Sequence, residues 1–523
     1  MKDIISKIFL IGIITLGSCT ELDLLPEDAY GENVLSDPKA TNLIINKAYR
    51  ELAMYEYFGR DYIYCSDLIS DDSEYIEGEI LNVDRLALEF MANTVANEHS
   101  ERPYEWAYRS ISVCNRVLDI ATEDNPFAIG QALFLRAFNY YVLARTYGGV
   151  PLILTQELSV EELSTVTRNS LTEVYDQAVA DLNRVIDSEL LPEKWIEEEQ
   201  GRATIWAAHG ILAKIYLTMA SPGIDYNGDK RTLYQKALDH AKFVRDNSPH
   251  TLAENYQDLF HPDTEYSNPE TIFQTGCNGI DANKGGVPGR YTTNYNPIDR
   301  VGWEKGWGNN VPEWRLYESF DDADQRKAVG FVTYFITDRN LTRERYERLS
   351  YDEYQPTGDV QNFNPGDTVF YPYWEVPRIQ RPHCGKYRFY GSNFNAESNV
   401  DENNFNLLRF AEILFIIAEC ENELGNQSAA IDALNQIIRR AYRGDASYDV
   451  STMSQEAFLE RLQHEKWKEH HHECIRWWDL VRWDIFQERM NEFDRFPEAK
   501  HRYHPIPQKE IDRNPNLAQN PGW

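Results

Sequence analysis

Apolar residues recur at three- and four-residue spacing through Asn42–Tyr57 and Glu105–Ala121, the period at which one face of an α-helix collects its hydrophobic side chains. Both segments are predicted as amphipathic helices packed on one another. Gln131–Tyr147 reads QALFLRAFNYYVLARTY, in which Ala137 and Ala144 are small enough to let a neighbouring helix approach closely. Gly148 and Gly149 and then Pro151 supply its stop, since glycine tolerates the conformation past a last turn and proline cannot continue a helix. Ser170 and Glu173 stand at capping-box spacing, which predicts a helix running to about Asp187. Two more are predicted over Ala203–Met219 and Leu233–Asp246. These are helix pairs of tetratricopeptide size, each of which buries one face only by stacking on its neighbours. The repeat consensus is poorly kept, so an irregular helical bundle is the alternative.

From Thr251 to Asn406 the texture changes, as Pro, Gly, Asn and Tyr crowd out the periodic runs. Long loops on a rigid scaffold are where binding residues tend to sit. Helices return at Leu407–Leu424, apolar almost all round over Ile413–Ala418 and therefore buried. Ser428–Tyr442 is its predicted partner, and one long helix is predicted over Gln455–Phe486. The Pro-punctuated tail is expected to be pinned by rings such as Tyr503 and Trp523. The fold class is mainly α: a tetratricopeptide-like helix-pair scaffold with a loop-rich ligand-binding region.

The chain has 523 residues, 42% of them hydrophobic, which is enough for one large core. Its net charge of −32 argues against nucleic acid as a partner. Aromatic residues make up 13%, and flat rings with a polar handle suit either a core or a neutral polar ligand with apolar faces. Lys2 and Lys7 precede the apolar run Ile8–Leu16, too short to span a membrane and the size of a signal-peptide core. The string Leu16, Gly17, Ser18, Cys19 resembles a bacterial lipobox, so Cys19 is the expected lipidation site. Acyl chains contribute about 0.8 kcal/mol per buried methylene, enough to anchor without a transmembrane helix. The expected organisation is a signal peptide over 1–18, a lipidated cysteine and spacer over 19–36, a helical-repeat region over 37–250, a loop-rich insert over 251–406, and C-terminal helices and tail over 407–523. The remaining cysteines form no C-x-x-C pair; one or two disulfides are left open, and Cys114 and Cys420 read as small buried hydrophobes.

Several strings coincide with one known family. Leu408–Gly425 (LRFAEILFIIAECENELG) and Ala433–Ala441 (ALNQIIRRA) are similar to the signature helix pair of the SusD/RagB family. Glu465–Trp483 (EKWKEHHHECIRWWDLVRW) resembles its charged helix, His504–Trp523 (HPIPQKEIDRNPNLAQNPGW) its C-terminal motif, and Arg136–Pro151 (RAFNYYVLARTYGGVP) its N-terminal one. The chain departs from the pattern at His470, His471 and His472, where the family usually carries apolar residues, and at Trp523, where Tyr is commoner. The resemblance implies a lipid-anchored protein of the Bacteroidetes outer-membrane surface that caps a SusC-like TonB-dependent barrel. It implies binding of oligosaccharides or, in some members, peptides, with no chemistry and no cofactor. Capture of peptides or glycoprotein fragments in the same complex, a glycoside hydrolase and a pure interaction scaffold are the competing functions.

The family's ligand residues vary, so candidates come from composition. The densest aromatic, glycine-rich stretch offers Arg290, Tyr291, Tyr295, Trp303, Trp307, Asn309, Asn310 and Trp314, whose ring faces could meet sugar C–H bonds or could merely staple the loop to the helices. Asp67, Asp71, Asp72 and Tyr75 form a second candidate, the acids accepting from hydroxyls or forming a solvated face. Tyr371, Tyr373 and Trp374 form a third. Arg476, Asp479 and Arg482 sit at helical three-residue spacing and read as structural ion pairs; Glu412 and Glu419 read as partners of nearby Arg or backbone groups. No metal is expected. A zincin needs a second His one turn after His464 or His472, and those positions hold Lys468 and Arg476. His470, His471 and His472 would point around a helix instead of converging. Asp225, Asn227 and Asp229 begin like a calcium loop, but Lys230 and Lys236 occupy its glycine and glutamate positions.

Overall fold

A computed structural model describes residues 38–75, 82–156, 158–261, 264–276, 310–332, 334–336, 370–372, 382–387 and 404–523. Pro38–Ala53 (α1), Glu98–Ile120 (α2), Pro126–Tyr147 (α3), Leu171–Asp187 (α4), Ile205–Ala220 (α5) and Lys230–Asn247 (α6) each lie against the helix before. The stacking carries on across the middle of the chain. α6 packs on Phe410–Leu424 (α7), which packs on Gln427–Ala441 (α8) and Gln455–His470 (α9).

The burial pattern follows the periodicity. α3 and α5 are buried on nearly every side, as expected of helices apolar all round, and Ala137 and Ala144 are fully buried. α4 buries one stripe, Val174, Tyr175, Ala178, Leu182 and Val185. Its capping box forms as predicted: Glu173 N donates to Ser170 Oγ at 3.2 Å, and Ser170 N donates to Glu173 Oε2 at 2.7 Å. α3 stops at Gly148, whose φ of +75° only glycine adopts without strain. Cys114 and Cys420 are buried thiols, as are Cys65, Cys384 and Cys474, so no disulfide joins these.

Short strands complete the described residues: Ser73–Tyr75 (β1), Thr271–Thr275 (β2), Asn310–Pro312 (β3), Phe331–Val332 (β4), Tyr334–Ile336 (β5), Phe370–Pro372 (β6), His383–Cys384 (β7) and Phe405–Arg409 (β8). They make antiparallel ribbons β1–β3, β2–β8, β4–β7 and β5–β6. Two expectations change here. Leu407–Arg409 is strand, not the first turn of a helix, because Phe405–Arg409 pairs with Thr271–Thr275, a partner that periodicity cannot see. Gln455–Phe486 is not one helix: α9 ends at His470, and after a turn through His472 (φ +58°) and Cys474 (φ +56°) the chain resumes as Arg476–Arg482 (α10) and Phe486–Asn491 (α11). The turn directs Arg476 to Asp71 and Arg482 to Glu419, both buried. The tail is pinned as expected: Trp523 Nε1 donates to the carbonyls of Lys500 and Tyr503, each at 3.1 Å.

Candidate functional site

Arg290, Tyr291, Tyr295, Trp303, Trp307 and Asn309 lie outside the described residues, as do Tyr373 and Trp374, and nothing is described of the Tyr371 side chain. The attachments of the aromatic stretch are described. On its upstream side β2 is held by β8, and on its downstream side Asn310 pairs with Tyr75. Asn310 is buried there. Trp314 opens a short helix, Trp314–Glu318, capped by Glu313, whose Oε2 accepts from the Arg315 amide at 2.6 Å. Its half-buried ring sits 5.5 Å from that of Tyr317. Tyr266, which the sequence does not single out, borders the stretch. The residue is 47% exposed, and a methyl group on Gly276 would lie 3.8 Å from its hydroxyl, so it stands at the upstream root of the stretch. A lone tyrosine without periodic neighbours carries no signal for this.

The acidic candidates are in a different place from the one expected. Asp67, Asp71 and Asp72 are buried, not solvated and not open to a ligand, and Tyr75 lies buried in β1. Arg476 grips both Asp71 oxygens at 2.7 and 2.8 Å, and Arg489 adds a bond of 2.7 Å. Burial pushes the Asp71 carboxyl up, and the guanidiniums of Arg476 and Arg489 overcome it, holding it down at about 2. Asp72 Oδ2 accepts from the His472 amide at 2.5 Å, and Asp67 Oδ1 from Ser66 Oγ at 3.1 Å. The run is the wall that α10 and α11 close upon.

The described residues also hold a buried lattice of charge. Arg409, at the end of β8, reaches Glu270 at 2.7 Å, Glu469 at 2.6 Å and Glu473 at 2.8 Å. Arg326, from the short helix Gln325–Gly330, bonds Asp324 at 2.6 Å, Glu465 at 2.8 Å and Glu469 at 3.1 Å. Lys386, just past β7, meets Glu473 at 2.7 Å, and Arg440 of α8 pairs with Glu270 and Glu469. Segments within the 251–406 region, at Glu270, Arg326 and Lys386, and after it, at Arg409 and Arg440, are thus tied to one end of α9. Removing one member of such a buried pair typically costs about 3–5 kcal/mol, because it strands the partner charge. Burial pushes the Glu465 carboxyl up, and Arg326 followed by Lys468 brings it down to about 2. Glu473 is likewise held well below the carboxylate range by Arg409 and Lys386 against the cost of burial. Carboxylates so firmly ionised are poor general acids.

The remaining expected pairs form with two amendments. Asp479 and Arg482 bond within α10 at 2.7 Å, but Arg476 turns away to Asp71. Glu419 is held by Arg482, at 2.8 Å through Oε2, whereas Glu412 is held by Lys214 and Lys466, each at 3.1 Å, and not by arginine. The histidines also differ from expectation. Of His470, His471 and His472, only His470 belongs to α9; beyond its end the rings of His471 and His472 meet, Nδ1 to Nδ1, at 2.9 Å.

Comparison with known proteins fits this architecture. Residues 379–523 match the family model described as "SusD family", and residues 22–217 match one described as "Starch-binding associating with outer membrane". SusD-like protein P2 of Formosa agariphila is 25% identical over 98% of this chain and 99% of its own length. The chain belongs to the SusD/RagB family. A SusD-like protein of Bacteroides ovatus is 30% identical over 32% of this chain and 31% of its own. Among solved structures, a SusD homolog from Bacteroides thetaiotaomicron superposes with a TM-score of 0.75 at 20% identity, covering 94% of this chain and 99% of the homolog. Surface glycan-binding protein A from the same organism, in complex with laminarihexaose, gives 0.72 at 20% identity, covering 92% and 99%. At these identities the likeness is one of fold. The segment Glu465–Trp483 forms the end of α9, a turn and α10, with His470, His471 and His472 all buried.

Proposed function

We propose that this SusD-family chain is a lipid-anchored surface protein that binds oligosaccharide and delivers it to a SusC-like TonB-dependent outer-membrane barrel, without cleaving it. The observation that carries the reading is the end-to-end fold shared with a glycan-binding protein solved around laminarihexaose. Three features support it. The lipobox ending in Cys19 gives the anchor, and no helix among the described residues is long and apolar enough to cross a membrane. The aromatic stretch from Arg290 to Trp314 has the composition of a sugar-stacking surface, and its roots are strand-paired to the body. The buried carboxylates of the lattice are saturated by Arg and Lys, which suits a rigid platform better than acid–base chemistry.

Calorimetric titration against a polysaccharide panel tests the reading. Saturable binding of at least one glycan is expected, and Trp303→Ala or Trp307→Ala should weaken it at least tenfold, or about 1.4 kcal/mol. If both variants bind like the parent, the ring assignment fails; if no glycan binds, the function does. Overnight incubation should release no shorter sugars. Cys19→Ser should shift the protein out of the membrane fraction, and the parent should co-purify with a β-barrel.

A further inference from the structure

The turn after α9 gathers a donor set that no spacing in the sequence reveals. His471 and His472 lie past the last helical residue, and the left-handed backbone at His472 brings the two rings together nearly perpendicular, at 87°, with their Nδ1 atoms 2.9 Å apart. Cys384, on β7 and 87 residues upstream of His471, completes the group: one donor atom from each of the three lies within 4.8 Å of the other two. All three side chains are fully buried.

Each ligand is held in place by its surroundings. The His471 ring stacks on Phe331 at 4.9 Å and 8°, and Gly330 makes room for it, since a Cβ there would come within 2.5 Å of His471 Nε2. Cys384 is fixed by the pairing of β7 with Phe331. The far nitrogen of His472, Nε2, lies 3.2 Å from Ser73 Oγ. A hydrogen bond on the distal nitrogen is the usual means of orienting a ligating imidazole. A buried carboxylate oxygen, Asp72 Oδ1, has no hydrogen-bond partner, while Asp72 Oδ2 accepts from the His472 amide.

We propose that Cys384, His471 and His472 form a buried binding site for a borderline-soft divalent cation of the zinc class, which staples β7 to the end of α9. Two imidazoles and a sulfur are the donors that zinc takes, whereas calcium and magnesium require oxygens. With zinc–nitrogen and zinc–sulfur distances of about 2.0 and 2.3 Å, tetrahedral donors stand about 3.3 to 3.8 Å apart. The histidine Nδ1 atoms, 2.9 Å apart, must part by a few tenths of an ångström, and any donor pair near the 4.8 Å bound must close to reach those distances. A thiolate would supply negative charge, Glu473 is already engaged by Arg409 and Lys386, and Lys386 and Arg326 oppose a cation.

The test is a titration of the full-length protein, carrying no histidine tag and kept reduced, with Co2+ alone as probe and equilibrated overnight. One equivalent should bind at micromolar concentration, with a sulfur-to-cobalt charge-transfer band and intense tetrahedral visible bands, all abolished by Zn2+. Cys384→Ser should lose the charge-transfer band, His472→Asn should weaken binding at least tenfold, and Cys420→Ser, a buried thiol elsewhere, should bind like the parent. No saturable one-to-one binding by the parent overturns the proposal whatever the variants do. A charge-transfer band that survives in Cys384→Ser overturns it equally. Neither outcome touches glycan binding, which stands or falls on the titrations above.

Discussion

Asp71 sets the energetic tone at the residue scale. It is fully buried, yet it stays charged because Arg476 and Arg489 replace the water it has lost. Asp71→Asn keeps the shape but removes the anion, leaving Arg476 buried beside a neutral amide. We expect it to lose about 3–5 kcal/mol in denaturant unfolding while leaving glycan affinity unchanged at a temperature where the variant is folded. A loss of affinity without a loss of stability would return Asp71 to the ligand face. An acidic run reads locally as solvated surface or as a hydroxyl-binding patch, because the partner that buries it, Arg476, lies 405 residues further along. Tyr266 was illegible for the opposite reason: only the fold shows that this exposed tyrosine lies beside Gly276.

Elements are decided by competition between local preference and packing, and Gly130 in the first turns of α3 makes the contest measurable. Alanine favours a helix interior over glycine by about 1 kcal/mol. Here an added Cβ would fall 2.0 Å from the Leu190 carbonyl oxygen, which is backbone and cannot swing away. Overpacking costs about 1–3 kcal/mol, so packing wins, and Gly130→Ala is expected to lower the unfolding midpoint; a raised midpoint would show that the chain after α4 yields freely. Local signals otherwise served the helices well. The capping box at Ser170 and the stop at Gly148 were readable because a cap involves residues within a turn of one another. Leu407–Arg409 and the interruption after His470 were not, since one answers to a strand partner more than a hundred residues upstream and the other to buried acids elsewhere.

For the whole molecule, the charge lattice makes stability depend on acid. Asp71 and Glu465 are held at about 2, against ordinary values of 3.8 and 4.5. A depressed carboxyl contributes stability in full above its unfolded pKa and loses it as pH falls toward the folded one. Unfolding free energy measured across pH should therefore decline gently below about 6.5, where His209, His464 and His504, held at about 4 by burial, gain protons only on unfolding, and fall steeply between about 4.5 and 2 as the carboxylates follow, with net proton uptake on unfolding. A profile that stays level through that window would mean the lattice contributes nothing. The helical stack, its caps, its buried central helices and the family strings were determined by the sequence itself, because hydrophobic period, capping and turn chemistry act over a few residues. Only the tertiary structure decided which charges are buried, where the strands pair, where the long C-terminal helix breaks, and that Cys384 meets His471 and His472. Each of those depends on a partner far along the chain, and a charged or ligating residue looks the same locally whether water or another side chain will satisfy it.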